Sequence, residues 1–120
     1  MRRGTPSETS LSFAAAINSG ELEAALDHWM PDAVLVAPDG NEARGSVEIR
    51  ERLAALIASG TKLQIEVESV VETTQIAAAA TKMVMTIPGT AGQSLEFRAT
   101  VVYTHGEDGW RFAIDTLATV

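Results

Sequence analysis

Residues 63–71 read LQIEVESVV. Leu63, Ile65 and Val67 alternate with Gln64, Glu66 and Glu68, the two-residue period of a strand with one dry face and one wet face. At Ser69-Val70-Val71 the alternation slips, which predicts a bulge or bend. This stretch divides the chain. Downstream the pattern stays strand-like, with further strands expected over 75–87, 94–104 and 110–117. Pro88-Gly89 and Ala91-Gly92 mark one connecting loop, and Gly106-Glu107-Asp108-Gly109 marks a hairpin.

Upstream the period is helical. Thr5-Pro6-Ser7-Glu8 supplies a capping residue, a proline suited to the first turn and a glutamate at its third position. The helix runs to Asn18, with Leu11, Ala14, Ile17 and Phe13 as its buried stripe, and Asn18-Ser19-Gly20 stops it. A second helix is expected over 21–30, carrying Leu22, Leu26 and Trp29 on one face and ended by Pro31. Residues 33–37, AVLVA, suit a buried strand, and Pro38-Asp39-Gly40 a turn. A polar link then leads to a third helix over 47–58, capped by Ser46, with Ile49, Leu53, Leu56 and Ile57 as its stripe. The order α-α-β-α-β-β-β-β is that of an α+β protein: three helices from the N-terminal half packed on one face of a curved, mostly antiparallel sheet.

The 120 residues suit a single domain, 1–120, with residues 1–5 as a flexible tail. A formal net charge of −7 argues against nucleic acid, whose binding needs clustered Lys and Arg. The basic pair Arg2-Arg3 reads as a solvated terminus. There are no cysteines, which excludes disulfides, thiolate nucleophiles and cysteine-held metal. Without a membrane-length apolar run or an apolar signal core, the expected location is the cytoplasm, away from membranes.

Four stretches, FAAAINSGELEAAL (13–26), PDAVLVAPDG (31–40), ARGSVEIRERLAAL (43–56) and HGEDGWRFAID (105–115), carry a resemblance. The chain resembles the nuclear transport factor 2-like superfamily, in its SnoaL-like and ketosteroid-isomerase-like branch of small bacterial proteins. The resemblance implies a cone-shaped pocket, with the curved sheet as one wall and the helices as the other. It also implies a homodimer formed through the outer face of the sheet. It is poor for function, because such a fold hosts isomerases, cyclases, dehydratases, epoxide hydrolases and non-catalytic binders.

The family's best-known sites match poorly. The position of the ketosteroid isomerase base falls on Ala37, that of the oxyanion-hole tyrosine on Phe13, and that of the protonated aspartate on Thr100 or Val101. With no base and no donors, that proton-transfer mechanism is excluded. The epoxide hydrolase pattern of Arg-x-Asp plus a later Asp becomes Arg98-Ala99-Thr100 plus Asp115, one acid short. The dehydratase pattern of two histidines finds only His28 and His105, whose spacing does not bring them together or make a metal site.

Asp115 therefore stands out, an acid inside the apolar run of the last strand. Simple alternation with Trp110, Phe112 and Ile114 inward turns it away from the helices; a bulge reverses that. If Tyr103 pairs with Trp110, Arg98 falls opposite Asp115, as a structural ion pair or a catalytic one. In an apolar cone, unpaired, the acid would have a raised pKa and serve as general acid or base. Phe13, Trp29, Ala37, Met83, Met85, Thr100 and Trp110 are the expected wall of a substrate site, the methionines as a soft apolar surface. Asp32 and Arg44-Gly45 read as structural. The readings in play are a cofactor-independent isomerase, cyclase or hydrolase of a small apolar molecule, a binder of such a molecule, and a dimeric assembly module.

Overall fold

A computed structural model describes residues 4–89 and 93–120. Helix α1 spans Pro6–Asn18, α2 Leu22–Leu26 and α3 Gly45–Ala58. The strands are β1 Trp29–Val36, β2 Glu42–Arg44, β3 Lys62–Glu72, β4 Ile76–Thr86, β5 Ser94–Gly106 and β6 Gly109–Thr119. They form one six-stranded sheet in the order β2-β1-β6-β5-β4-β3. Only β1 and β6 run parallel; the other neighbours are antiparallel. The α+β class and the helices-then-strands layout are those the sequence predicts. Arg2-Arg3 and Ala91-Gly92 lie outside the described residues.

Helix α1 begins as its sequence dictates. Thr5 Oγ1 accepts from the Glu8 N–H at 3.1 Å, and Pro6 occupies the first turn, where a missing N–H costs nothing. Thr5 is thus the helix cap. The buried face differs from expectation. Leu11 is 53% exposed, and Thr9 and Ser10 are buried in its place. The sheet makes that possible: Thr9 donates to the Trp110 carbonyl at 2.9 Å, and Ser10 shares a 2.7 Å hydrogen bond with the Tyr103 hydroxyl. At the helix end the Asn18 amide clamps Leu63, accepting its N–H at 2.7 Å and donating to its carbonyl at 2.8 Å.

Three boundaries differ from the sequence reading. Helix α2 is a single short turn ending at Leu26, and Trp29 and Met30 already belong to β1. Pro31 sits inside that strand because the β1–β6 register is broken between Trp29 and Val34, where a proline removes no ladder bond. The polar link contains the three-residue edge strand β2, whose charged ends Glu42 and Arg44 blunt the open edge. Ser46 does not cap α3; Arg44 is the capping position, and its N–H donates to the Glu48 carboxylate at 2.8 Å.

Two further register shifts interrupt the sheet. One lies between Val67 and Ser69, one residue from the predicted slip, and leaves Val71 74% exposed. The other lies between Val102 and Tyr103: Tyr103 pairs with Phe112 but Val102 pairs with Ile114, so Ala113 is the extra residue. The core under α1 is aromatic. Phe112 meets Phe13, Trp29 and Tyr103 with ring centroids 5.4, 4.8 and 5.5 Å away.

Candidate functional site

The extra residue Ala113 decides where Asp115 points. Phe112 and Asp115 would face opposite sides of a regular strand; across the bulge both turn toward the helices. Ile114 is turned outward instead and is 43% exposed. Asp115 pairs with Val101 on one side and Leu35 on the other. It does not meet Arg98, which lies opposite Ala118 and Lys82 on the outer face, ion-paired to Glu68. The expected Asp115–Arg98 pair is corrected on that register: Trp110 pairs with His105, not Tyr103.

Between the sheet and α3 lies a cavity of about 310 Å³. Phe13, Trp29, Met83, Met85 and Asp115 line it, with Ala37 at the turn after β1. Thr100 and Trp110 do not. Thr100 is exposed on the outer face opposite Ala80 and Thr116. Trp110 is buried at the hairpin end against the His105 ring, 4.9 Å between centroids. Helix α3 adds Leu53, Leu56 and Arg52, and β6 adds Leu117. The sequence reading did not single out Arg52. Its signal was its place on α3, next to Leu53 and one helical turn before Leu56. A second hollow of about 20 Å³ lies deeper, and Ser10, Thr81, Phe112 and Asp115 border it. Asp115 sits where the two meet.

Two buried polar atoms of residues that line this apolar chamber are unsatisfied. Asp115 Oδ1 is fully buried with no hydrogen-bond partner among the described residues, and so is the indole Nε1 of Trp29. Each such atom costs about 1–3 kcal/mol unless something meets it. Burial away from water pushes the Asp115 carboxyl up to about 7 from 3.8. Burial also raises the Tyr103 phenol; its hydrogen bond with Ser10 opposes the rise and the Asp115 charge adds to it. Near neutrality Asp115 is therefore poised to give or take a proton.

The histidines are elsewhere. His28 is buried between α1 and α2, its ring nitrogens 2.7 Å from the Ala24 carbonyl and 2.8 Å from Ser12 Oγ. His105 is at the β5–β6 hairpin. No group of three or more His, Asp or Glu among the described residues is placed to hold a metal ion. No helix among them is long and apolar enough to cross a membrane.

A six-stranded sheet with a long curved antiparallel part, three helices on its concave side and a chamber between them defines a cystatin-like, nuclear transport factor 2-like architecture. Residues 11–113 match the SnoaL-like domain, and the chain belongs to that family. No curated protein matches it. Among solved structures it is similar to a protein of Thiobacillus denitrificans proposed to be a calcium/calmodulin-dependent protein kinase type II association domain. That pair has a TM-score of 0.84 and 17% identity, covering 100% of this chain and 98% of the other. A nuclear transport factor 2-like protein of Novosphingobium aromaticivorans has a TM-score of 0.81 and 19% identity, over 94% and 78% of the two chains. A ketosteroid isomerase-like protein of Erwinia carotovora has a TM-score of 0.77 and 17% identity, over 95% and 92%. At such identities the likeness is one of fold.

Proposed function

We propose that this protein is an enzyme that moves a proton on a small apolar molecule held in the cavity, with Asp115 as the acid–base group. The observation that carries the reading is a carboxyl inside an apolar chamber, one oxygen unpartnered and its pKa near neutrality. The ionised form takes a proton from a carbon next to a carbonyl, leaving an enolate. The resulting acid returns that proton to the same carbon or to another one along the conjugated system. That step uses Asp115 as its one acid–base group, and Arg98, on the outer face, takes no part in it.

The cavity bounds the substrate. Its 310 Å³ is about twice the ~150 Å³ that accepts benzene, which suits up to two fused rings rather than a steroid. 2-Tetralone is a fitting probe. In deuterated buffer the protein should exchange the hydrogens next to its carbonyl faster than buffer alone. Asp115→Asn should slow that exchange by about 10²-fold or more. Binding of 2-tetralone without exchange would instead favour a non-catalytic carrier.

A second property is proposed for the outer face of the sheet. Val71, Ala78, Val102, Ile114 and Val34 are consecutive cross-strand neighbours and form an apolar row over five strands. The row beside it is small, Ser69, Ala80, Thr100 and Thr116, and beyond it come Glu66, Lys82 and Arg98. An apolar band beside a charged one supports a homodimer through this face, as the family resemblance implies.

A further inference from the structure

Arg52 gives the cavity a second polar feature at its other side. Three arginines lie on or beside α3, and two have acid partners. Arg44 Nε is 2.6 Å from Glu42, and Arg50 is ion-paired to Glu23. Arg52 makes no ion pair among the described residues, although it is half-buried and lines the cavity. Glu42, Glu48 and Glu51 border a neighbouring hollow that Arg52 also lines. Glu42 and Glu48 are engaged by Arg44, through its side chain and its backbone N–H. A guanidinium keeps its charge at any relevant pH and presents a planar fork of donors. Arg52 lines the chamber together with Leu53 and Leu56, and Trp29 and Asp115, each with a buried unpartnered atom, line the same chamber.

We propose that Arg52 anchors a carboxylate, so that the ligand of this cavity is a small apolar carboxylic acid of one or two rings, its anion on Arg52 and its ring system in the chamber. The proposal rests on the reading of the cavity as a ligand site and gives that ligand a chemical class. It accounts for a charged side chain on an otherwise apolar wall. It also gives the ligand one orientation, with the reacting carbon toward Asp115 and the anion away from it. Arg52 acts in it as a positioning and specificity residue.

The test is calorimetric titration of the full chain with 2-naphthoate and with its neutral isostere 2-naphthamide, in low salt at about pH 6, where the first probe is ionised. Wild type should bind naphthoate at least about tenfold more tightly than the amide. Arg52→Gln should abolish that preference while keeping the affinity for the amide. Arg50→Gln removes the same charge outside the cavity and should leave the preference intact. Equal binding of the two probes by wild type, or a preference that survives Arg52→Gln, overturns the proposal and leaves the cavity reading standing. An equal loss in both variants assigns the effect to net charge and also overturns it. If neither probe binds, the cavity is not a site for molecules of this size, and both readings fall.

Discussion

Asp115 links stability to pH in a direction opposite to that of a salt-bridged acid. The unfolded chain releases the proton near 3.8, whereas the folded one holds it up to about 7. Between those values folding takes up a proton, so raising the pH destabilises the fold. The contribution is fully present below about 4, is lost as the pH rises to about 7, and is flat beyond. Its full size is roughly 4 kcal/mol at most. Asp115→Asn keeps the shape of the neutral acid and cannot ionise. Its stability relative to wild type, measured by urea unfolding, should therefore rise steadily from about pH 4 to about pH 8. A difference that stays constant over that range would mean the acid is solvated. At this scale the sequence exposes Asp115 as an acid in an apolar run, but not its direction, which rests on one unpaired residue. Arg52 went unnoticed because a charged residue on a helix reads as solvated until the wall it lies against is known.

At the scale of elements, the bulge at Ala113 does the deciding. Deleting Ala113 removes the extra residue, so that Phe112 inward, Ile114 outward and Asp115 inward become a regular alternation. The expected result is a folded variant in which Asp115 still faces the chamber and its carboxyl still titrates at about 7. Carbon-detected NMR of that carboxyl measures it. A titration near the ordinary value of about 4 would show that the bulge itself, not the side of the sheet the acid faces, sets the environment. Strong local signals made some elements legible. The Thr5-Pro6 start and the Asn18-Ser19-Gly20 stop fixed α1, and alternation fixed β3. Helix α2 was read too long because Pro31, a helix breaker in sequence, is accommodated in a broken stretch of strand. Strand β2 was missed because three residues carry no period.

Over the whole molecule, helices come first and long strands later, and that order is enough to read the α+β architecture. Segments far apart in the sequence build the site together: α1 brings Phe13, α3 brings Arg52 and β6 brings Asp115. Such long-range placement is invisible to local periodicity. The outer face belongs to this scale too. If its apolar row pairs two copies, Ile114→Lys should shift sedimentation from dimer to monomer without disturbing the cavity. A wild-type monomer at tens of micromolar would set the dimer aside.

The central claim is that Asp115 sits in an apolar chamber and titrates close to neutrality. Its most direct test is the carboxyl carbon shift of Asp115 followed by NMR across pH, assigned by comparison with Asp115→Asn. The account predicts an inflection at about 7. An inflection near 4, the ordinary range for an aspartate in water, would contradict it.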